Sequence, residues 1–227
     1  MSEELKEEPG LEEIEFAENP EPRCPCILLL DTSGSMSGAP INALNQGIQT
    51  FKDALMQDTL ASRRVEIAIV TFDSKAKGVQ DFVTADQFEP TSLGTGGATH
   101  MGTAILQGLD MVQDRKTQYR ENGISYYRPW IFMITDGSPQ GESGDVVDQA
   151  TARIQDEEES KSVAFFAVGV EKANMEKLKE IATRAPVKLN GLHFAEMFVW
   201  LSASMQRVSH SKVDEQIELP PLGWGTV

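Results

Sequence analysis

The stretch ILLLDTSGSMSG, residues 27–38, places four large apolar residues directly before an aspartate and then alternates hydroxyl side chains with glycine. A short continuous apolar run of this kind is typical of a parallel strand that is buried on both faces of a sheet. The turn that follows carries Asp31, Ser33 and Ser35, which are spaced two residues apart. The stretch therefore predicts a buried central strand whose exit holds a group of oxygen ligands.

A second apolar run, PWIFMITDG at residues 129–137, also ends in an acid, Asp136. Around these two runs, segments with strand character alternate with segments that have helical periodicity. Strands are predicted at 24–31, 63–73, 77–85, 129–137 and 162–170 with a short edge strand at 187–190, and helices at 40–58, 99–119, 144–160, 174–185 and 194–210. The alternation predicts an α/β fold, namely a three-layer, doubly wound (Rossmann-like), mostly parallel sheet with one antiparallel hairpin strand.

Length and composition favour one domain with short tails. The chain has 227 residues, of which 40% are hydrophobic, and we predict the domain over residues 23–210. Residues 1–22 carry nine Glu and one Lys, about half of the net charge of −15, which predicts a mobile acidic tail or, alternatively, an acidic docking arm. Residues 211–227 contain Pro220 and Pro221 and are predicted to be irregular, with Trp224 packed on the body rather than presented to a partner.

The charge, the apolar run lengths and the cysteine count of the chain argue against several classes of function. The acidic balance argues against nucleic acid and anionic membrane surfaces as partners, because both need clustered Lys and Arg. No apolar run approaches the ~18 residues of a membrane helix and no signal-peptide pattern is present, which favours a cytoplasmic protein. Cys24 and Cys26 are too close for an easy disulfide and too few for a zinc site, so we expect two reduced, half-buried thiols, with a redox pair as the alternative.

The two acid-terminated strands predict a metal site. In the strand order 3-2-1-4-5-6, Asp31 and Asp136 would meet at the carboxyl edge where the order reverses, and two such carboxylates would repel unless a cation lay between them. Hydroxyl and carboxylate oxygens without His or Cys favour Mg²⁺, followed by Mn²⁺ and Ca²⁺. The alternative is that DTSGS is simply a helix-capping turn.

These motifs resemble the von Willebrand factor A (vWA) domain family and its metal-ion-dependent adhesion site. The D-x-S-x-S element is Asp31, Ser33 and Ser35, the loop GGATHMG places the family's threonine at Thr99, and TDGSP supplies Asp136. The resemblance covers roughly residues 24–210. It implies that the hydroxyls bind the metal directly, that the aspartates act largely through water, and that one coordination position stays open for an Asp or Glu carboxylate of a protein partner.

The resemblance also implies a rim of partner-contacting residues around the metal. We place Met36, His100, Gly137 and Ser138 on this rim. Packing is expected for Met101 and is also considered for Met36, with an adaptable recognition surface as the other role that methionine suits. The rim departs from the family pattern because Ala98 replaces a usual glycine and His100 stands where proline is common. Asp73 is expected to be a hairpin-turn acid, with a place on the rim as the alternative.

The compact form and the PPLGWG ending, residues 220–225, resemble the tellurium-resistance-associated TerY and YegL-like bacterial branch of the family. This implies partners such as a protein kinase or phosphatase in bacterial stress signalling.

An enzyme is the rival class. Ser33 or Ser35 as a nucleophile would need a general base, and the only histidines are His100, His193 and His210. The G-x-S-x-G elbow and the phosphate-cradling loop are missing, although metal-assisted hydrolysis stays open as an alternative. A purely structural metal site is the third hypothesis. The sequence favours a non-enzymatic, metal-dependent protein-interaction domain.

Overall fold

A computed structural model describes residues 11–226 of the chain. The helices are α1 Leu11–Glu18, α2 Ala39–Leu55, α3 Ala61–Arg64, α4 Met101–Glu121, α5 Gly144–Glu159, α6 Met175–Ile181 and α7 Phe194–His210. The strands are β1 Cys24–Asp31, β2 Val65–Phe72, β3 Ala76–Thr84, β4 Trp130–Thr135, β5 Ala164–Gly169, β6 Val187–Leu189 and β7 Gly225–Thr226, with a 3-10 turn at Gly34–Met36.

The strands form one sheet in the order β3-β2-β1-β4-β5-β6-β7. Strands β2, β1, β4, β5 and β6 are parallel, and the antiparallel pairs are β2 with β3 and β6 with β7. This confirms the predicted doubly wound α/β sheet with an antiparallel hairpin. We predicted that the short strand β6 would be an edge strand. This is wrong, because β7 pairs with its outer side.

Strand β1 lies inside the sheet, between β2 and β4, and its side chains contribute to both layers of the hydrophobic core. All eight of its residues are buried. Leu28 and Leu30 point to the layer covered by α2 and α7, while Ile27 and Leu29 point to the layer covered by α4, α5 and α6. The strict alternation of side chains along a strand explains why a continuous apolar run, rather than an alternating one, was required here.

The N-terminal segment differs from the prediction. Residues 1–10 lie outside the described part of the chain, but Leu11–Glu18 forms helix α1, and its side chains contact the body from Glu15 onward, so the prediction of a mobile tail is wrong for that part. Phe16 is 2% exposed with its ring 5.9 Å from that of Tyr119, and Glu15 Oε1 lies 2.6 Å from Arg115 Nη2. Acidic composition was misleading because these side chains meet buried arginines that the sequence does not place nearby.

The C-terminal segment packs on the body, with Trp224 only 2% exposed, as expected. Gly225 and Thr226 add the short strand β7, so the segment is not irregular throughout. No helix in residues 11–226 has the length and apolar character needed to cross a membrane.

Cys24 and Cys26 are free and fully buried, rather than half-buried. Burial raises the pKa of the Cys26 thiol to about 12 and, together with the Cys26 and Glu66 charges, raises the pKa of Cys24. Both thiols therefore stay protonated and unreactive near neutral pH.

Candidate metal centre

Three loops meet at the carboxyl edge of the sheet, one after β1, one before α4 and one after β4. Backbone hydrogen bonds connect them, since Gly34 N donates to Gly97 O (3.2 Å) and Thr99 exchanges two bonds with Gln140 (3.1 and 2.9 Å). These contacts fix the loop that carries Thr99 relative to the ends of both strands. The predicted site residues therefore sit on a connected backbone frame rather than on independent loops.

Asp31 lies at the base of this region and is fully buried. Its Oδ1 accepts a hydrogen bond from Ser33 N (2.8 Å) and its Oδ2 accepts one from Thr135 Oγ1 (2.5 Å). Burial raises the pKa of Asp31, the bonds from Ser33 and Thr135 oppose that rise, and the charge of Asp136 adds to it. The ionised form of this carboxylate is therefore costly without a compensating positive charge.

Asp136, the second acid of the site, is hydrogen-bonded to the loop after β1 through serine hydroxyl groups. Ser33 Oγ lies 3.1 Å from Ser35 Oγ, and Ser35 Oγ donates to Asp136 Oδ1 at 2.8 Å. Asp136 is 8% exposed, and burial raises its pKa, with the charge of Glu171 acting in the same direction. The exits of β1 and β4 thus share one continuous set of oxygen atoms.

Thr99 faces the same space from the third loop. It is 4% exposed, and a Cβ placed on Gly137 would stand 3.7 Å from Thr99 Oγ1 and 4.0 Å from Asp31 Oδ2. The absence of a side chain at Gly137 leaves this space open. The structure therefore brings the five candidate ligands to one place, and their role as ligands stays a prediction.

The rim is only partly as predicted. His100, Gly137 and Ser138 are partly exposed beside the site. Met36 is fully buried in the core layer beneath α2 and α7, so its place on the rim is wrong. The 3-10 turn directs this long apolar side chain inward, where it gains more from burial than a rim position offers.

Met101 and Asp73 have the roles expected for them, a buried core side chain and a hairpin-turn acid. Met101 is fully buried in the opposite core layer. Asp73 lies in the hairpin turn, where its Oδ1 accepts from Lys75 N (3.1 Å), and its carbonyl accepts from His100 N (2.8 Å), which also joins this residue to the rim.

Sequence reasoning missed two supporting residues. Thr135 holds Asp31 through its hydroxyl and accepts from Gly137 N at 3.2 Å. Glu142 accepts from Gly102 N (2.7 Å) and from Thr103 N and Oγ1 (3.0 and 2.9 Å), which caps the start of α4 next to Thr99. Thr135 stands directly before Asp136 in the sequence, which could have indicated that it supports the site. Nothing in the local sequence connects Glu142 to α4.

The donor set suits a small, hard divalent cation. Among the side chains that the structure describes, those of residues 15–226, no three or more His, Cys, Asp or Glu gather in a way that could hold a metal. An ion at this site must therefore use the hydroxyls together with Asp31 and Asp136, and oxygen ligands of this kind suit Mg²⁺, Mn²⁺ or Ca²⁺. The two buried acids supply the negative charge that such an ion would neutralise.

Among the described residues, no histidine ring is hydrogen-bonded to Ser33 or Ser35. Within the described residues, Ser33 and Ser35 hydrogen-bond to each other and to Asp136. His210 Nε2 instead lies 2.8 Å from Asp58 Oδ2, at the end of α7.

The sequence profile described as the von Willebrand factor type A domain matches residues 26–196. The chain belongs to this family. No curated protein matches it by sequence.

Solved structures share the vWA fold at low sequence identity. A von Willebrand factor type A protein from Catenulispora acidiphila aligns with a TM-score of 0.64 at 18% identity, over 81% of this chain and 43% of that one. The pilus adhesin SpaC from Lactobacillus rhamnosus GG gives 0.65 at 13%, over 83% and 30%. Proximal thread matrix protein 1 from the mussel byssus, described with a zinc-occupied metal-ion-dependent adhesion site, gives 0.52 at 17%, over 84% and 46%. The chain spans less than half of each of these proteins, and the likeness shows the fold alone.

Proposed function

We propose that this vWA domain is a metal-dependent protein-interaction module. Asp31, Ser33, Ser35, Thr99 and Asp136 would hold Mg²⁺, and the ion would bind an Asp or Glu carboxylate of a partner protein. The observation that carries the proposal is the hydroxyl connection from Ser33 through Ser35 to Asp136, which joins the exits of two neighbouring strands.

The chemistry of the donors explains why such a site would bind a partner. Hydroxyl groups are neutral, so they leave most of the ion's charge available to an external anion. Bound Mg²⁺ would supply a Lewis-acid position for a carboxylate, with Mn²⁺ and Ca²⁺ as the next candidates. Partly exposed His100, Gly137 and Ser138 would then contact the rest of the partner.

The biological setting rests on the TerY and YegL-like resemblance. We propose an adaptor in the bacterial cytoplasm that joins a protein kinase or phosphatase in tellurite-type stress signalling. The PPLGWG ending at residues 220–225 supports this assignment.

The proposal is tested by co-purification with the kinase and phosphatase encoded by neighbouring genes, in Mg²⁺ and in EDTA. We expect capture only in Mg²⁺, and loss of capture in Asp31→Asn, which removes the negative charge of the carboxylate, and in Thr99→Ala, which removes a hydroxyl ligand. The matched controls Asp86→Asn and Thr91→Ala change exposed residues that are neither candidate ligands nor part of the rim, and they should bind as the wild type does. Capture that survives EDTA or Asp31→Asn would show that the metal centre is not the binding site.

Metal-assisted hydrolysis is the alternative, and one observation favours it. The Ser35 hydroxyl donates to the Asp136 carboxylate, an arrangement in which a carboxylate can accept a proton. Turnover of p-nitrophenyl acetate or p-nitrophenyl phosphate with Mg²⁺, lost in Ser35→Ala, would support this alternative. We expect the wild-type rate to equal that of Ser35→Ala.

A further inference from the structure

Glu171 is a third acid at the carboxyl edge of the sheet, beside the two acids of the candidate metal centre. Strands β1, β4 and β5 are neighbours, and each leads to an acid: Asp31 ends β1, Asp136 follows β4, and Glu171 comes two residues after β5. The backbone fixes this proximity, because Val170 N donates to Thr135 O at 2.8 Å and these two residues immediately precede Glu171 and Asp136. The third acid therefore lies next to the site without belonging to the five candidate ligands.

The backbone of Glu171 is strained, and the fold holds it in place. Its φ is 45°, in the left-handed region that residues other than glycine rarely adopt. Ala173 N donates to Val170 O (2.9 Å) and closes the turn, and both Val170 and Ala173 are buried. Strain that persists between buried neighbours is common where the side chain serves a function.

The Glu171 carboxylate is exposed, and neither the backbone nor the side chains of residues 15–226 offer it a hydrogen-bond or ion-pair partner. Its charge still acts on the metal centre. Burial raises the pKa of Asp136, and the charge of Glu171 raises it further. The field of Glu171 therefore reaches the space in which an ion and its external ligand would lie.

The charges at the site do not balance when a partner carboxylate arrives. A divalent cation and the carboxylates of Asp31 and Asp136 together carry no net charge, so Glu171 makes the surroundings of the ion negative. A lone incoming carboxylate is repelled by Glu171, whereas a carboxylate that comes with a nearby cation is not.

We propose that Glu171 determines which partners the metal centre accepts, namely those in which the metal-binding Asp or Glu is flanked by Lys or Arg. The basic residue of the partner pairs with Glu171 while the acid binds the ion. This inference rests on the proposed metal-dependent function and adds the charge of the partner sequence to it. Glu171 acts on the charge of the partner and is not itself a metal ligand.

The test measures the binding of three synthetic heptapeptides to the full chain by isothermal titration calorimetry, in Mg²⁺ and in EDTA. The Lys–Asp peptide is Gly-Lys-Gly-Asp-Gly-Lys-Gly, the Ser–Asp peptide has serine in place of both lysines, and the Lys–Asn peptide has asparagine in place of the acid. We expect the Lys–Asp peptide to bind about 3-fold more tightly than the Ser–Asp peptide in Mg²⁺, the effect of an exposed charge pair. The Lys–Asn peptide should bind as weakly as the Lys–Asp peptide does in EDTA.

Charge variants of Glu171 test its part in this preference. Glu171→Gln should abolish the preference for the Lys–Asp peptide, and Glu171→Lys should reverse it. The matched control Glu159→Gln removes the same charge from the exposed end of α5, at the opposite edge of the sheet, and should keep the preference. This control separates the effect of Glu171 from attraction by the overall negative charge of the chain.

Glu171→Gly separates a role in specificity from a role in folding. Glycine adopts a positive φ without strain, so this variant should unfold at a urea concentration at least as high as that of the wild type. It should nevertheless lose the preference for the Lys–Asp peptide.

The inference and the proposed function fail in different ways. Equal binding of the Lys–Asp and Lys–Asn peptides in Mg²⁺, or binding of neither, would overturn the proposed function and the inference together. Metal-dependent binding of both Asp peptides without a preference, or a preference that survives in Glu171→Gln, would overturn the inference alone. So would a loss of Mg²⁺ affinity of about 10-fold or more in Glu171→Gln, since this would identify Glu171 as a ligand or a support of the ligands.

Discussion

Asp31 is the residue on which the candidate metal centre depends most strongly. It is fully buried, it lies near a second acid, and burial raises its pKa. A buried carboxylate without a positive partner is unfavourable, whereas one beside a divalent cation is stabilised. The hydrogen bonds from Ser33 N and Thr135 Oγ1 orient both oxygens of this carboxylate.

We expect Thr135→Val to weaken Mg²⁺ binding by about 10- to 100-fold, the usual cost of removing a group that orients a metal ligand. Valine keeps the shape of threonine but cannot donate to Asp31 Oδ2 or accept from Gly137 N. Isothermal titration calorimetry with MgCl₂ measures the effect. Thr84→Val is the matched control, because Thr84 is equally buried in β3 at the other end of the sheet, beside Glu66. Equal affinities in the two variants would show that Thr135 does not support the site.

At the scale of elements, single side chains cap the start of one helix and also form a polar contact with another helix. Asp58 accepts from Leu60 N and Ala61 N (both 2.9 Å), which starts α3, and it also contacts His210 at the end of α7 (2.8 Å). Burial alone would raise the pKa of Asp58, but the bonds from Ala61, His210 and Leu60 outweigh it and lower the pKa.

This lowered pKa sets the sign of a pH effect. Because the folded-state pKa of Asp58 lies below its unfolded value of about 3.9, its contribution to stability is present above that value. The contribution is lost as the pH falls through the folded-state pKa. We expect the wild type to lose more stability than Asp58→Asn when urea unfolding at pH 5 is compared with unfolding at pH 3. Parallel losses in the two proteins would contradict the assigned role of the Asp58 carboxylate.

Helix α1 is an element whose attachment can be measured directly. We expect Phe16→Ala to destabilise the protein by about 3 kcal/mol, because it removes a buried aromatic side chain. Glu15→Gln should cost less than ~1 kcal/mol, because Glu15 is partly exposed and its ion pair is screened by solvent. Urea unfolding measures both values. A Phe16→Ala protein as stable as the wild type would mean that α1 is not held as described.

At the scale of the whole molecule, a buried charge network lies at the end of the sheet opposite the metal centre. Glu66 is fully buried and accepts from Arg23 Nε (2.8 Å) and from Arg115 Nε and Nη2 (2.9 and 2.8 Å). Tyr119 also donates to Glu66, and burial, followed by the Glu66 charge, raises the pKa of that phenol. This network connects β2, α4 and the segment before β1, and Glu15 of α1 completes it through Arg115.

We expect Glu66→Gln to destabilise the protein by roughly 3–5 kcal/mol, because it removes the buried carboxylate that two buried guanidinium groups share. Glu89→Gln is the matched control, since Glu89 pairs with Lys52 at the surface and is 85% exposed. It should change the free energy of unfolding by less than ~1 kcal/mol. Mg²⁺ affinity of the folded fraction should be unaffected by either change, and a selective loss in Glu66→Gln would show that the two ends of the sheet are coupled.

Much of the fold followed from local patterns. The apolar runs before Asp31 and Asp136 predicted buried parallel strands, and the rule that such strands share one carboxyl edge predicted that the two acids would meet. Met36 could not be placed in this way, because its backbone turn, not its residue type, decides whether it faces the rim or the core. Thr135 and Glu142 were missed because their function is to hold another residue, and that residue is known only once the loops are folded.

The sequence by itself determined which segments become strands and helices and which oxygens lie at strand ends. The reason is that the spacing of apolar residues along a segment depends on which of its faces is buried, and this spacing can be read locally. Only the tertiary structure decided that Glu15 meets Arg115, that Trp224 packs against α7, and that Thr99 faces Asp31. Those contacts join residues far apart in the chain, and their free energy depends on charge balance and shape that exist only after the layers have packed.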